Sequence, residues 1–261
     1  MTQRGSTCAY ARLLALATLA AVALPGRADD RQPVTPYRPS VSSPAQLPYP
    51  GQLELELGGL ATRADGEHRN SLPYTFKLAF NDNWGVVVGG EAWVSAPDDG
   101  GGRTHGVGDT TFVLKRAFLI DSATAFGLEL GAKAATARDS IGSGRADYSV
   151  NGIVSRDFEQ VHMDANLNLT RLGAWEDGSS RTQTGVSASF SLPVSERWGM
   201  TGELSGTRRG GADRTAQALV AAAYSPSKYL TLDFGLAKGL NRAAADWSLF
   251  GGVVLPLARL W

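Results

Sequence analysis

The chain is poor in the features that most often betray a function. It has one cysteine, Cys8, which lies ahead of the first apolar run, so no internal disulfide can form and a disulfide-stapled scaffold is excluded. Lys plus Arg number 25 and Asp plus Glu number 25, so net charge points to neither nucleic acid nor any other strongly charged partner. The three histidines show no spacing with Cys or His that would hold a metal. Gly100-Gly101-Gly102 lacks the Lys-Ser/Thr and the helix of a phosphate loop. No metal and no cofactor is expected. Beyond residue 25 there is no long apolar run. Only 43% of residues are hydrophobic, too few for a bundle of membrane-spanning helices. Spanning by strands is not excluded, because there only alternate residues meet lipid.

What is present begins with a targeting signal. Arg4 and Arg12 precede an apolar stretch over 13–24, and Gly26-Arg27-Ala28 supplies small residues at a cleavage site. Residues 1–28 read as a cleavable signal peptide, since the apolar run falls short of the roughly 20 residues a spanning helix needs. Residues 29–50 carry Pro33, Pro36, Pro39, Pro44, Pro48 and Pro50. Proline at this density favours extended chain outside any sheet interior, hence a periplasmic leader. A second reading tucks this segment into a lumen as a plug or constriction.

From residue 51 to the end, alternation takes over. In 161–171, Val161, Met163, Ala165, Leu167 and Leu169 are apolar, while His162, Asp164, Asn166, Asn168 and Thr170 are polar. Period two means a strand with one apolar and one wet face. Similar stretches lie at 52–57, 71–80, 84–92, 109–119, 126–134, 146–157, 186–192, 198–205, 216–222, 230–236 and 247–261. The connections alternate too: short after the even-numbered stretches, mostly longer and rich in Gly and charge after the odd ones. A soluble sandwich has no reason to sort its loops in this way, whereas an outer-membrane barrel does. Many stretches approach the length a tilted strand needs to cross a bilayer. Aromatics fall near the strand ends at Tyr74, Phe80, Trp84, Trp93, Phe118, Phe158, Trp198, Tyr224, Tyr229, Trp247 and Trp261, as in interfacial girdles. An open sheet edge in lipid would leave backbone groups unpaired at several kcal/mol each. The expected fold is all-β: a transmembrane antiparallel up-and-down β-barrel of about 12 strands over residues 51–261, in the bacterial outer membrane.

Two local patterns carry a resemblance. The chain ends on Trp261 after Val253, Leu255 and Leu257, which resembles the C-terminal signature read by the barrel assembly machinery; Pro256 and Arg259 depart from its usual form. Gly106-Val107-Gly108-Asp109-Thr110-Thr111-Phe112-Val113-Leu114-Lys115 resembles the GxGDxxxxxK strand of the outer-membrane transporter-like family named for the meta-pathway of phenol degradation. Arg145-Ala146-Asp147-Tyr148-Ser149-Val150-Asn151-Gly152 and Leu232-Asp233-Phe234-Gly235-Leu236 resemble later strands of that family. The resemblance spans roughly 52–261. It implies a channel-like protein, with aromatic or other small organic compounds as solutes, and marks Gly106, Gly108 and Asp109 as motif residues.

If the apolar faces meet lipid, the other faces line a lumen. That places Glu54, Glu56, Lys77, Glu91, Lys115, Glu129, Lys133, Asp147, His162, Asp164, Glu203 and Asp233 inside as lumen-lining and solute-binding candidates. Acidic groups outnumber basic ones, so an open lumen would favour cations or neutral polar solutes. Those charges could instead bridge and fill a narrow barrel. Asp109 reads more simply as a backbone cap on the preceding Gly turn than as a solute ligand. No catalytic residues are expected: His162, beside Asp164, is the one histidine within a strand, and no nucleophile is paired with it by spacing. The expected function is a passive outer-membrane channel for small solutes. The alternative is a non-conducting barrel acting through its outer loops at 95–106 and 173–181. The expected partners are outer-membrane lipid, the assembly machinery through Trp261, and a small solute.

Overall fold

The computed structural model describes residues 31–98 and 100–261; the signal peptide expected at 1–28 lies outside them. Among the described residues there is no α-helix. The strands are β1 (Gln52–Ala64), β2 (Glu67–Ala79), β3 (Trp84–Pro97), β4 (Arg103–Gly106), β5 (Thr110–Leu119), β6 (Thr124–Ala134), β7 (Asp147–Phe158), β8 (Val161–Arg171), β9 (Thr182–Pro193), β10 (Trp198–Arg209), β11 (Thr215–Ser227), β12 (Leu230–Gly239) and β13 (Trp247–Arg259). Each pairs antiparallel with its neighbours. β1 pairs with β13, and β2 with β3, so the sheet closes on itself. β4 pairs only with β3, which leaves twelve strands in the ring and a short ribbon above it.

The wall is built inside out relative to a soluble protein. Lys77, Lys115 and Glu54 are 0% exposed, whereas Phe112 is 52% and Leu204 62% exposed. Burying charge and exposing a continuous apolar belt is costly in water and favourable in a bilayer. No helix of the described residues is long and apolar enough to cross a membrane; the strands do the crossing. The turns β2–β3, β5–β6, β7–β8, β9–β10 and β11–β12 are short and gather at one end with Gln52 and Arg259. In barrels of this kind that end faces the periplasm.

Three local expectations change. The β1–β2 connection is only Asp65-Gly66, both with positive φ (50° and 84°), the geometry of a tight hairpin turn, for which the second residue needs to lack a Cβ. Strand β2 therefore starts at Glu67, and Tyr74, expected at a strand end, sits in mid-wall. The polar segment after β3 folds back as the β3–β4 hairpin, because the Asp98 carboxylate accepts the Gly100 and Gly102 N–H groups at 2.9 and 2.8 Å.

The largest difference concerns the leader. Residues 31–50, expected first as unpaired periplasmic chain and in a second reading as a segment tucked into the lumen, run inside the barrel. Their partners come from β1, β2, β5, β7, β8, β10 and β12, strands spread round the whole ring, so the segment lies within it. Proline keeps the segment out of the sheet ladder. It does not keep the remaining N–H groups from bonding to inward side chains, and seven of them do so, while the Val34 N–H donates to the Lys228 carbonyl at 3.0 Å.

Candidate functional site

The leader climbs beside β1, crosses the barrel at mid-height and returns on the β3–β5 side. On the way up, the Gln32 N–H bonds to Gln52 Oε1 (2.8 Å), the Thr35 N–H to Glu54 Oε2 (3.1 Å) and the Tyr37 N–H to Glu56 Oε1 (2.7 Å). This is a consequence of period two: Gln52, Glu54 and Glu56 all point inward and present a ladder of acceptors to an extended neighbour. Lys77, opposite Glu54 on β2, completes the charge pattern. Its ammonium lies 2.7 Å from Glu56 and 3.1 Å from Glu54 and also donates to the Thr35 carbonyl.

At the crossing, Arg38 forms a bidentate pair with Asp233 of β12, at 3.0 and 2.9 Å. The guanidinium rests on Gly58 and Gly252, which face each other across the β1–β13 pair. A Cβ on Gly58 would come within 2.8 Å of the guanidinium, and one on Gly252 within 2.7 Å, so the wall is hollowed where the arginine sits. The Val41 and Ser42 N–H groups both donate to Glu203 Oε2 (2.8 and 2.9 Å). Asn166 bonds Ser43 twice, accepting its N–H at 2.8 Å and donating to its carbonyl at 2.9 Å. On the return, Lys115 donates to the Pro44 carbonyl and the Ala45 N–H donates to Ser155 Oγ (2.7 Å). The Tyr37 ring lies between the two buried lysines, 4.3 Å from Lys77 Nζ and 4.1 Å from Lys115 Nζ, and its hydroxyl donates to the Gln46 carbonyl (2.8 Å). Two desolvated cations on one aromatic ring are each worth about 2 kcal/mol.

All twelve sequence-derived lumen candidates are on the inner face, but they fall into separate groups. Glu54, Glu56, Lys77, Lys115, Glu203 and Asp233 bind the leader. Glu129 pairs with Lys115 at 3.1 Å and accepts from Asn151 at 2.9 Å. Glu91 is held by Arg69 in a bidentate pair at 2.7 and 2.6 Å. Lys133 bridges Asp147 (2.8 Å) and Asp109 (3.3 Å) near the outer rim. His162 and Asp164 lie near the periplasmic rim. Both His162 ring nitrogens face carboxylates, Asp157 at 2.6 Å and Asp164 at 3.2 Å, so the imidazole has no nucleophile to activate. Ser155, nearby, donates to Asp164 instead.

The motif residues have structural roles. A Cβ on Gly108 would strike Glu91 Oε2 at 2.6 Å. Asp109 accepts the Ala137 N–H at 3.0 Å, so it caps the loop after β6 and not the Gly turn that precedes it. Partial burial pushes the Asp109 carboxyl up, but the Ala137 N–H and the Lys133 ammonium outweigh this and hold it below the usual carboxylate range. The leader residues Tyr37, Arg38, Ser42 and Ser43 were absent from the sequence-derived site. The one signal that could have found them is the excess of inward carboxylates, which demands donors that the wall does not supply.

Above the crossing lies a second compartment, about 530 Å³, floored by Val41 and Ser43 and reaching the β12–β13 loop at Ala243–Ala245. Amides and hydroxyls make up the polar part of its lining, among them Asn151, Asn168, Gln183, Ser205, Thr207 and Gln217; valine, glycine and the Ala243–Ala245 run supply the rest, and Glu129 is the one ionisable group.

No protein-family model matches the chain, and no curated protein sequence matches it. Solved structures do. A structure of the NanC porin aligns over 78% of this chain and 100% of its own at 7% identity, with a TM-score of 0.58. The KdgM porin covers 78% of this chain and 99% of its own at 9% identity and a TM-score of 0.56. The CymD monoaromatic hydrocarbon channel covers 81% of this chain and 90% of its own at 9% identity and a TM-score of 0.50. At such identities the likeness is one of fold: a porin-like outer-membrane β-barrel.

Proposed function

We propose that this chain is an outer-membrane channel for small solutes, held closed by its own residues 31–50. The observation that carries the reading is the set of leader bonds to Glu54, Glu56, Lys77, Asp233 and Glu203. These are side chain–to–backbone or ion-pair contacts, and water can replace them. The leader crosses no strand ladder, so it can leave without breaking the barrel. The fold shared with two porins and a hydrocarbon channel supports a conducting role. Membership of the phenol meta-pathway family, with small organic solutes, is the finer form of the proposal. It rests on Gly106, Gly108, Asp109 and Lys115 at their motif spacing. Insertion through the assembly machinery by way of Trp261 belongs to the same proposal.

Single-channel recording tests it. The full mature chain is expected to be quiet, and a chain lacking 31–50 to conduct steadily. A second test uses Ser42 and Ser187, whose hydroxyl oxygens are 2.9 Å apart. With S42C and S187C added to a Lys77→Ala chain, whose leader is expected to detach, an oxidised barrel should stay silent and reduction should open it. A folded, heat-modifiable barrel that stays silent in every form would overturn the channel. The filled lumen would then favour the other reading, a non-conducting barrel acting through its outer loops.

A further inference from the structure

We infer that the outer compartment is a binding site for neutral polyhydroxylated solutes, of the sugar or polyol kind. The inference names the solute class of the proposed channel and rests on that reading only for its role in transport. Three observations on the same cavity lead to it.

The first is size. At about 530 Å³ the compartment falls within the range of small-molecule sites. The second is charge. Glu129 is the one ionisable group in the lining, and Lys115 at 3.1 Å neutralises it from below. A bare anion or cation entering here would lose hydration and meet no counter-charge.

The third is unspent hydrogen-bonding capacity. Asn151 is 7% exposed, and its amide nitrogen donates to Glu129 Oε2 (2.9 Å) and to Asn166 Oδ1 (3.0 Å). Both neighbours are acceptors. That fixes the amide orientation and leaves Asn151 Oδ1 without a partner among the described residues. Ser205 Oγ is unpartnered as well; both atoms are covered in this structure, so a solute hydroxyl reaches them only as their side chains turn toward the compartment. The Gln183 and Gln217 amides line the same space. An acceptor beside amides that can both donate and accept suits a ligand whose groups do both, which is what a hydroxyl-rich neutral molecule offers. A hydrocarbon would leave these groups unpaired, and a buried orphan polar group costs about 1–3 kcal/mol.

The test is equilibrium binding to the full chain in a sugar-free detergent, by calorimetry or saturation-transfer NMR. The probes are D-glucose, the same ring carrying a carboxylate (glucuronate), the same ring carrying an ammonium (glucosamine), and toluene. Glucose should bind, and each charged ring about tenfold more weakly. S205A and Q217L, which disturb neither the leader nor an ion pair, should each weaken glucose by about three- to tenfold. Equal binding of the three rings, binding unchanged in both variants, preferential binding of toluene, or no glucose binding by a folded barrel would each overturn the site. None of these outcomes bears on conductance. Glucose binding in a barrel that never conducts would support the site and sink the channel.

Discussion

The two halves of the lumen are made from the same wall by the same alternation, yet they use polarity differently. In the periplasmic half, charge is dense and largely engaged, with Glu203 Oε1 left over. Lys77 satisfies two glutamates, Asp233 takes Arg38, and Glu203 takes two backbone N–H groups. In the compartment above the crossing, amides and hydroxyls share the lining with small apolar residues, Glu129 is the one ionisable group, and Asn151 Oδ1 and Ser205 Oγ are left over. Strongly hydrated charges can be buried only against fixed partners, so the charged half holds a fixed occupant. Neutral polar groups tolerate exchange with water and with solute, so the amide half is suited to a transient one.

This contrast can be broken from either side. The largest effect should come from Lys77→Ala. It strands Glu54 and Glu56 in a buried setting, and losing one member of a buried ion pair costs about 3–5 kcal/mol. The leader should detach, seen as conductance in the full chain and as protease cleavage within 31–50. A quiet channel with an uncut leader would contradict the account. Arg38→Ala should do the same more weakly, because it strands one carboxylate, Asp233, where Lys77→Ala strands two, and Arg38 is itself partly exposed; open probability should rank Lys77→Ala above Arg38→Ala. On the other side, Gln217→Ala should leave both closure and the urea midpoint unchanged within about 0.5 kcal/mol. A placement control sharpens this: Leu204→Arg, on the lipid face opposite Ser205, should cost about 2–4 kcal/mol in vesicle-refolded protein.

The smallest effect is that of acid on Asp109. Its carboxyl is held below the usual range, so the stability it lends to the loop after β6 is present above the unfolded carboxylate range and is lost as pH falls through its lowered value. Hydrogen exchange at Ala137 should therefore quicken, relative to its intrinsic rate, only at strongly acidic pH. Asp109→Asn should exchange faster already at neutral pH.

Much of the wall was legible because period two is a local signal. Strand β8 could be read residue for residue from 161–171, and the inward set from Glu54 to Asp233 follows from counting alternate positions. Turn geometry was less so. Asp65-Gly66 reads as a hairpin only once both flanking segments are seen to be strands, and 58–70 is too rich in Gly, Arg and small residues to alternate clearly. The leader's position was not legible because it depends on tertiary partners 100 and more residues away, such as Ala45 on Ser155 and Arg38 on Asp233. Proline content says that a segment avoids ladders. It carries no information on whether the segment's remaining donors meet water or a carboxylate.

The Arg38–Asp233 pair joins residues 195 positions apart. Asp233 lies on β12, whose partner β13 closes the ring against β1, and the leader runs directly into β1. The segment that fills the lumen therefore also spans the seam where the first and last strands meet. Loop-closure entropy is greatest for that final pairing, since it brings together the ends of the whole chain. A segment already bonded to Glu54 and Glu56 on one side of the seam and to Asp233 on the other acts as a clasp, fastening the cylinder from within at the one place where its two ends have to find each other.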